Sequence, residues 1–317
     1  MIHRYKNNGY NIVLDVNSGS VHVVDDIVYD IVGCLEEKMS EAAILEKFKN
    51  QYKEEDIRTA IEECRELEEA QMLFTNDIYE NAIESFKDRP TVVKALCLHI
   101  AHDCNLACRY CFAEEGEYHG RRALMTYEVG KQALDFLIAN SGNRKNLEVD
   151  FFGGEPLMNW NVVKELVAYG RSQEKIHNKH FRFTLTTNGV LLDDDIMEFA
   201  NEEMDNVVLS IDGRKEVHDF MRPFRKGKGS YDLVVPKFQK FADSRGQQKY
   251  YARGTFTHHN LDFSADVLHL ADLGIEQIHV EPVVADEKEE YAIKKEDIPK
   301  ICEEYDKLAK EMIRRNK

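Results

Sequence analysis

The chain has 317 residues, 43% apolar and 32% charged, which is enough length for two domains with cores of their own. Asp and Glu outnumber Lys and Arg by 58 to 42, and a formal charge of -16 repels phosphate backbones, which excludes generic nucleic-acid binding. No uncharged stretch is long enough to span a bilayer, and the first ten residues hold neither an apolar core nor a small-residue cleavage site, so a cytoplasmic protein is expected.

In chain order, Ile12 to Val16 and Val21 to Val24 flank an Asn17-Ser18-Gly19 turn and predict a hairpin. Helices are expected over 26–37, 40–51 and 54–71, where Ile27, Ile31 and Leu35, then Ile44 and Phe48, then Ile57, Ile61, Cys64 and Leu67 recur on one face. Composition changes near Asp88-Arg89-Pro90, so residues 1–88 are read as a small α+β module. Beyond it the pattern alternates, with strands over 93–101, 147–152, 181–187, 206–211, 249–257 and 276–284. Helices are expected over 126–140, 160–177, 193–203, 232–244, 263–273 and 296–315. Six β/α units predict an α/β domain with a parallel sheet over 89–285, followed by a last helix and the start of a further region over 286–317. The residues suited to chemistry fall at or just beyond the C-terminal ends of the strands, the face on which parallel barrels build active sites. The acidic run Asp286 to Glu290 is read as a solvated loop.

Seven cysteines are an odd number, and Cys104, Cys108 and Cys111 crowd into eight residues while Cys34, Cys64, Cys97 and Cys302 are scattered. That pattern suits a metal or cluster site in a reducing compartment rather than a disulfide framework. Three thiolates on one loop can hold three irons of a [4Fe-4S] cluster and leave the fourth open. A zinc knuckle stays open as an alternative, with His99, His102 or Cys97 as fourth ligand, although Cys97 in its apolar strand reads as a small core residue. Gly153 and Gly154 suit either close backbone approach to a ligand or a tight turn. Arg253 suits either an anionic ligand or the surface.

The C-x3-C-x2-C loop, with Tyr110 before its third cysteine and Phe112 after it, resembles the signature of radical S-adenosylmethionine (SAM) enzymes. Phe151-Phe152-Gly153-Gly154-Glu155-Pro156 is similar to their GGE motif, and Thr186-Thr187-Asn188-Gly189 and Leu209-Ser210-Ile211-Asp212-Gly213 resemble patterns of the peptide-modifying branch. The likeness covers nearly all of residues 90–285 and implies a partial (β/α)6 barrel. It further implies a [4Fe-4S] cluster on Cys104, Cys108 and Cys111 whose open iron chelates SAM. A low-potential donor, flavodoxin or ferredoxin, would supply the electron that cleaves SAM to methionine and a hydrogen-abstracting 5'-deoxyadenosyl radical. By the same resemblance Gly153 and Gly154 would admit the methionine moiety, with Glu155 on its ammonium and Arg253 on its carboxylate. Ser210 and Asp212 would meet the ribose, Asn188 would share that pocket, and Tyr110 or Phe112 would lie against the adenine or shield the cluster.

The front module resembles the winged-helix-like recognition element of peptide maturases, which binds a leader peptide as an added strand. A DNA-binding winged helix is disfavoured, since residues 1–89 hold 10 Lys and Arg against 20 Asp and Glu. The whole chain resembles the thioether-forming maturases of six-cysteine SCIFF peptides, which implies a cysteine-rich precursor with a leader as partner. Formylglycine formation, carbon–carbon cross-linking and a non-catalytic iron–sulfur peptide-binding role are the alternatives. Such maturases continue into a cysteine-rich SPASM-type domain with auxiliary [4Fe-4S] clusters, whereas beyond residue 285 this sequence holds only Cys302. Arg314-Arg315-Asn316-Lys317 ends an amphipathic stretch without a glycine cap or a following proline. The chain is therefore expected to be part of a longer protein, able to cleave SAM but not to complete a thioether.

Overall fold

A computed structural model describes residues 1–87 and 91–316, in two compact units over 1–90 and 91–317. The boundary expected at residues 88–90 lies outside the described residues, as does Lys317.

The N-terminal unit is a three-stranded antiparallel sheet, β1 (Ile2–Asn7), β2 (Tyr10–Asp15) and β3 (Val21–Val24), in the order β1-β2-β3. Helices α1 (Asp26–Glu36), α2 (Glu41–Phe48) and α3 (Glu54–Glu69) follow, and then a short α4 (Ile83–Lys87). Asp25 and Ser40 cap the first two helices by accepting from the amides of Val28 and Ala43. Ile31, Ile44, Ile57 and Ile61 of the expected stripes are buried and pack with Val13 of β2. β1 was not expected, because its IHRYKN sequence shows no apolar alternation. Its pairing comes instead from the turn at Asn8 (φ 50°) and Gly9 (φ 85°), an Asn-Gly pair that suits the left-handed conformation. Asp15 is buried and accepts from the Thr75 amide (2.9 Å) and hydroxyl (2.6 Å) and from the amides of Asn17 and Ser18, so it ties the β2–β3 turn to the segment after α3. β3 is an edge strand whose Val21 and Val23 are exposed.

The second unit holds six parallel strands, β4 (Ala95–His102), β6 (Asn146–Gly153), β7 (His180–Thr187), β8 (Met204–Ser210), β9 (Tyr250–Phe256) and β10 (Ile278–Pro282). A two-residue β5 (Ala123–Leu124) pairs antiparallel with β4, and the sheet order is β10-β9-β8-β7-β6-β4-β5. The connecting helices are α5 (Tyr127–Asn140), α6 (Trp160–His177), α7 (Asp194–Glu203), α8 (Lys215–Met221), α9 (Tyr231–Ser244) and α10 (Phe263–Asp272), with α11 (Ile298–Arg315) after β10. This is the α/β partial barrel of six β/α units that the motifs imply. α8 was not foreseen, since it is only seven residues long and lies between a motif and a longer helix.

Register is set by the buried face. Leu98, Phe151, Leu185, Val207 and Tyr250 align across five strands and are all buried against the helices. The alternate residues form the opposite, more polar face, where Cys97, Asp150, Thr184 and Asn206 are aligned. Cys97 is therefore exposed on that inner face and not part of the core, which corrects the sequence reading: its apolar neighbours in sequence point the other way. Among the described residues no helix is long and apolar enough to cross a membrane.

Candidate active site

The cysteine loop starts where β4 ends. Cys104, Cys108 and Cys111 are half-buried around a cavity of about 330 Å³, which is also lined by Tyr110, Phe112, Gly153, Gly154, Glu155, Asn188, Ser210 and Arg253. Eleven of the twelve residues singled out in the sequence thus share one cavity at the C-terminal ends of the parallel strands. Asp212 is the exception.

The loop is held from the far side of the barrel by α8 and the segment after it. The amides of Ala107 and Arg109 donate to the carbonyls of Pro223 and Met221 (both 2.9 Å), and Leu106 bridges Phe224. Arg225 donates to the Cys104 carbonyl (2.6 Å) and to Asp103 (3.0 Å). Arg109 donates to the Phe220 carbonyl and lies over the Phe220 ring. Burial pushes the Cys104 thiol up to about 12, with Glu155 adding to it, and the Cys108 thiol up to about 11 against the pull of Arg222. Left alone these groups are thiols, and a metal that binds them must displace protons.

Beneath the loop, the Tyr110 hydroxyl donates to the Asp212 carboxylate (2.8 Å) and accepts from Arg222 Nη1 (2.8 Å). Asp212 also accepts from the Thr255 amide (3.2 Å), and burial raises its pKa while Arg222 opposes the rise. Asp212 is buried, does not line the cavity, and has its carboxylate engaged by the loop and by β9. In this structure Asp212 braces the loop, and Ser210 is the residue of that motif that faces the cavity. Arg222 was missed by sequence reading although it lines the cavity and is buried. Its signal is the run His218-Asp219-Phe220-Met221-Arg222-Pro223 close behind Asp212-Gly213.

The GGE segment is locked to the cysteine loop through backbone. Gly154 N donates to Ala101 O (2.7 Å) and Glu155 N to Asp103 O (2.9 Å). Gly153 sits at φ +127°, where an added Cβ would stand 2.5 Å from Ala101 O. The close approach that requires both glycines is thus to the end of β4 at Ala101 and the start of the cysteine loop at Asp103. Glu155 is buried and accepts from the Leu157 amide (3.1 Å), the Thr187 hydroxyl (2.7 Å) and the Asn188 amide (2.8 Å). Burial pushes its carboxyl up, and these donors hold it back. Asn188 extends the link, since its Nδ2 donates to Asn105 Oδ1 (2.8 Å) and lies 3.6 Å from Cys104 Sγ.

Phe112 is 72% exposed and stacks on Phe152, with ring centroids 6.5 Å apart. Arg253 pairs with Glu281 (2.6 Å) at a half-exposed position. His99 and His102 stack against Tyr118 instead of joining the cysteines. Among the described residues no three His, Cys, Asp or Glu groups close around a single point, a geometry that three cysteines on three different irons do not need. The donor set fits an anionic iron–sulfur cluster, because three thiols share the cavity wall with a buried cation, Arg222, whose Nε has no protein partner.

Residues 98–247 match the Radical SAM superfamily. The chain is 33% identical over 138 residues to an uncharacterized protein of Methanocaldococcus jannaschii, covering 44% of this chain and 45% of that one. It is 26% identical over 162 residues to the radical SAM cyclopropyl synthase TigE of Paramaledivibacter caminithermalis, covering 44% and 34%. It is 33% identical over 140 residues to the serine-type anaerobic sulfatase-maturating enzyme of Bacteroides thetaiotaomicron, covering 42% and 32%. The matches span less than half the length of these curated relatives. Among solved structures, anSMEcpe with AdoMet and a peptide bound superposes with a TM-score of 0.62 at 19% identity, over 72% of this chain and 63% of that one. Streptococcus suis SuiB bound to S-adenosylmethionine superposes with a TM-score of 0.54 at 16% identity, over 99% and 69%. The segment 98–247 thus matches the Radical SAM superfamily model, and the chain has homology to a radical SAM cyclopropyl synthase and to an anaerobic sulfatase-maturating enzyme.

Proposed function

We propose that this radical SAM domain serves a maturase of a ribosomally synthesised, cysteine-rich precursor peptide, joining a cysteine sulfur to a carbon of another residue as a thioether. The observation that carries the reading is the convergence of Cys104, Cys108, Cys111, Gly153, Gly154, Glu155 and Ser210 on one cavity. Cys104, Cys108 and Cys111 would hold a [4Fe-4S] cluster, which would supply the electron for reductive cleavage of SAM and so the means of hydrogen-atom abstraction from the peptide.

The chain's own residues hold and orient the reactants. The thiols of Cys104, Cys108 and Cys111 lose their protons to become ligands. The Gly153–Glu155 backbone offers a rim for the methionine moiety, and Ser210 offers a hydroxyl for the ribose. Arg253 can exchange Glu281 for a ligand carboxylate at small cost, since a surface ion pair contributes at most about 1 kcal/mol. Phe112 and Phe152 present an apolar wall for the adenine.

The unpaired edge of β3 supports a leader peptide bound as a fourth strand beside Val21 and Val23. Reduced flavodoxin or ferredoxin would supply electrons in the cytoplasm, and auxiliary clusters in a further domain would accept the second electron of the oxidation. The test is mass spectrometry of a co-expressed neighbouring precursor peptide before and after thiol alkylation. Thioether formation removes two hydrogens and one alkylatable thiol per cross-link. A product two hydrogens lighter with every thiol still alkylated would instead indicate a cyclopropyl or other carbon–carbon bond, or a serine oxidised to formylglycine. Exchange of a cysteine sulfur for oxygen together with loss of two hydrogens would indicate formylglycine, and either result would overturn the thioether reading.

A further inference from the structure

Among the described residues, four buried side-chain polar atoms have no hydrogen-bond partner: Asn105 Nδ2, Tyr118 OH, Arg222 Nε and Asp150 Oδ1. A buried donor without a partner costs about 1–3 kcal/mol, and folded proteins leave few of them. Three of these four can donate, and all three belong to the surroundings of the cysteine loop. Asn105 lies within it, Arg222 lies on the segment that braces it, and Tyr118 follows Cys111 by seven residues.

Each of the three is fixed in orientation by what its other atoms do. Asn105 Oδ1 accepts from Asn188 Nδ2 (2.8 Å), which decides where the amide nitrogen points. Arg222 Nη1 donates to the Tyr110 hydroxyl (2.8 Å), which fixes the plane of its guanidinium. The Tyr118 ring packs at 4.5 Å from His99 and 5.0 Å from His102, with the edge of Phe112 at 6.1 Å. Cysteines are among the electrostatic neighbours of the two titratable members: Arg222 feels Cys108 besides Tyr110 and Asp212, and Tyr118 feels Cys111, Cys97 and Cys104. Burial, with those thiols adding to it, pushes the Tyr118 phenol up to about 12, so it stays a neutral donor.

We propose that Asn105, Tyr118 and Arg222 form a ring of hydrogen-bond donors to the cluster carried by Cys104, Cys108 and Cys111, and that this ring sets its reduction potential. The inference rests on the radical SAM reading above and deepens it. Thiolate and sulfide sulfurs are acceptors, and a cluster held by three thiolates is anionic and gains a further negative charge on reduction. Donors and a buried cation therefore stabilise the reduced form more than the oxidised one and move the potential upward. The three residues are positioning and tuning groups, since none of them is a ligand.

The test is the cluster's midpoint potential in the full chain, reconstituted anaerobically and titrated while the electron paramagnetic resonance of the reduced cluster is followed. Tyr118→Phe removes one oxygen atom and nothing else, and Arg222→Lys keeps the charge while removing Nε together with the Nη1 bond to the Tyr110 hydroxyl. Tyr118→Phe should keep the wild-type content of iron and sulfide, both variants should shift the midpoint to more negative values, and the double variant should shift it further. Loss of iron from Tyr118→Phe with circular dichroism unchanged would also support the ring, as loss of a bond that holds the cluster. Full clusters with unmoved potentials in both variants would overturn the ring alone. A wild-type chain that takes up no iron would overturn it together with the reading beneath it.

Discussion

Gly154 lies so close to Asp103 that a Cβ added to it would stand 2.2 Å from the Asp103 carbonyl oxygen and 3.0 Å from the Gly116 Cα. The exit of β6 is thus wedged between the start of the cysteine loop and the turn that follows it. Gly154→Ala should force these backbones apart, at a cost of about 1–3 kcal/mol for overpacking. The expected outcome is a lower urea midpoint with reduced iron uptake on reconstitution. A variant as stable and as iron-rich as the wild type would show that the contact does not hold the loop.

Glu155 is engaged by three donors from two strand ends, so its loss should be felt in folding as well as in binding. Glu155→Gln turns one of its two acceptor positions into a donor and leaves Thr187 or the Asn188 amide facing N–H. A loss of roughly 1–3 kcal/mol is expected in denaturant unfolding. Isothermal titration should show weaker SAM binding in the same variant.

Asp150 sets a pH dependence of its own. Burial raises its carboxyl to about 6, although a hydrogen bond from Thr186 and the charge of Arg253 pull the other way. The unfolded chain releases this proton near pH 4, so between about pH 4 and 6 the folded state holds more protons and stability falls as pH rises, by about 3 kcal/mol in all. Asp150→Asn should therefore gain stability relative to wild type as pH rises through that window. Unfolding curves at pH 4.5 and 7 would check it; a constant difference between the two proteins would contradict the assignment.

The β3 edge gives a prediction about peptide binding. Val23→Pro deletes an amide from an exposed edge strand, and strand addition depends on such amides. Binding of a fluorescent leader peptide to the full chain should fall at least about tenfold, a loss of about 1.4 kcal/mol. Iron uptake by the barrel should be unchanged.

Most of the barrel was legible because its strands and helices obey one rule: residues two apart on a strand, or three and four apart on a helix, go to the same side. Leu98, Phe151 and Leu185 declare their face in this way, and the cysteine spacing declares the loop. The support of that loop was not legible, because Ala107 and Arg109 are held by the carbonyls of Met221 and Pro223, which any residue could supply. The placement of Asp212 outside the cavity lining was not legible for a related reason. A carboxylate in a motif advertises its chemistry but not the direction of its side chain, and here the Tyr110 hydroxyl and the Thr255 amide engage it. Cys97 shows the same limit, since apolar neighbours in sequence are neighbours on the other face of a strand. β1 lacked any pattern of its own, being held by backbone pairing through Asn8 and Gly9.

The sheet order has a consequence for how the chain is made. From β7 to β10 each strand pairs with the one synthesised just before it, so every new strand leaving the ribosome meets a finished edge. The cysteine loop is the exception to this local assembly. Cys104 waits for Arg225, 121 residues later, before its carbonyl finds a donor, and Ala107 and Arg109 wait for the same stretch. The earliest-made part of the site is closed by one of its later parts. Iron that enters the fully braced loop therefore does so only after most of the barrel has been translated, and a ribosome stalled within α7 would present the three cysteines on an unbraced segment.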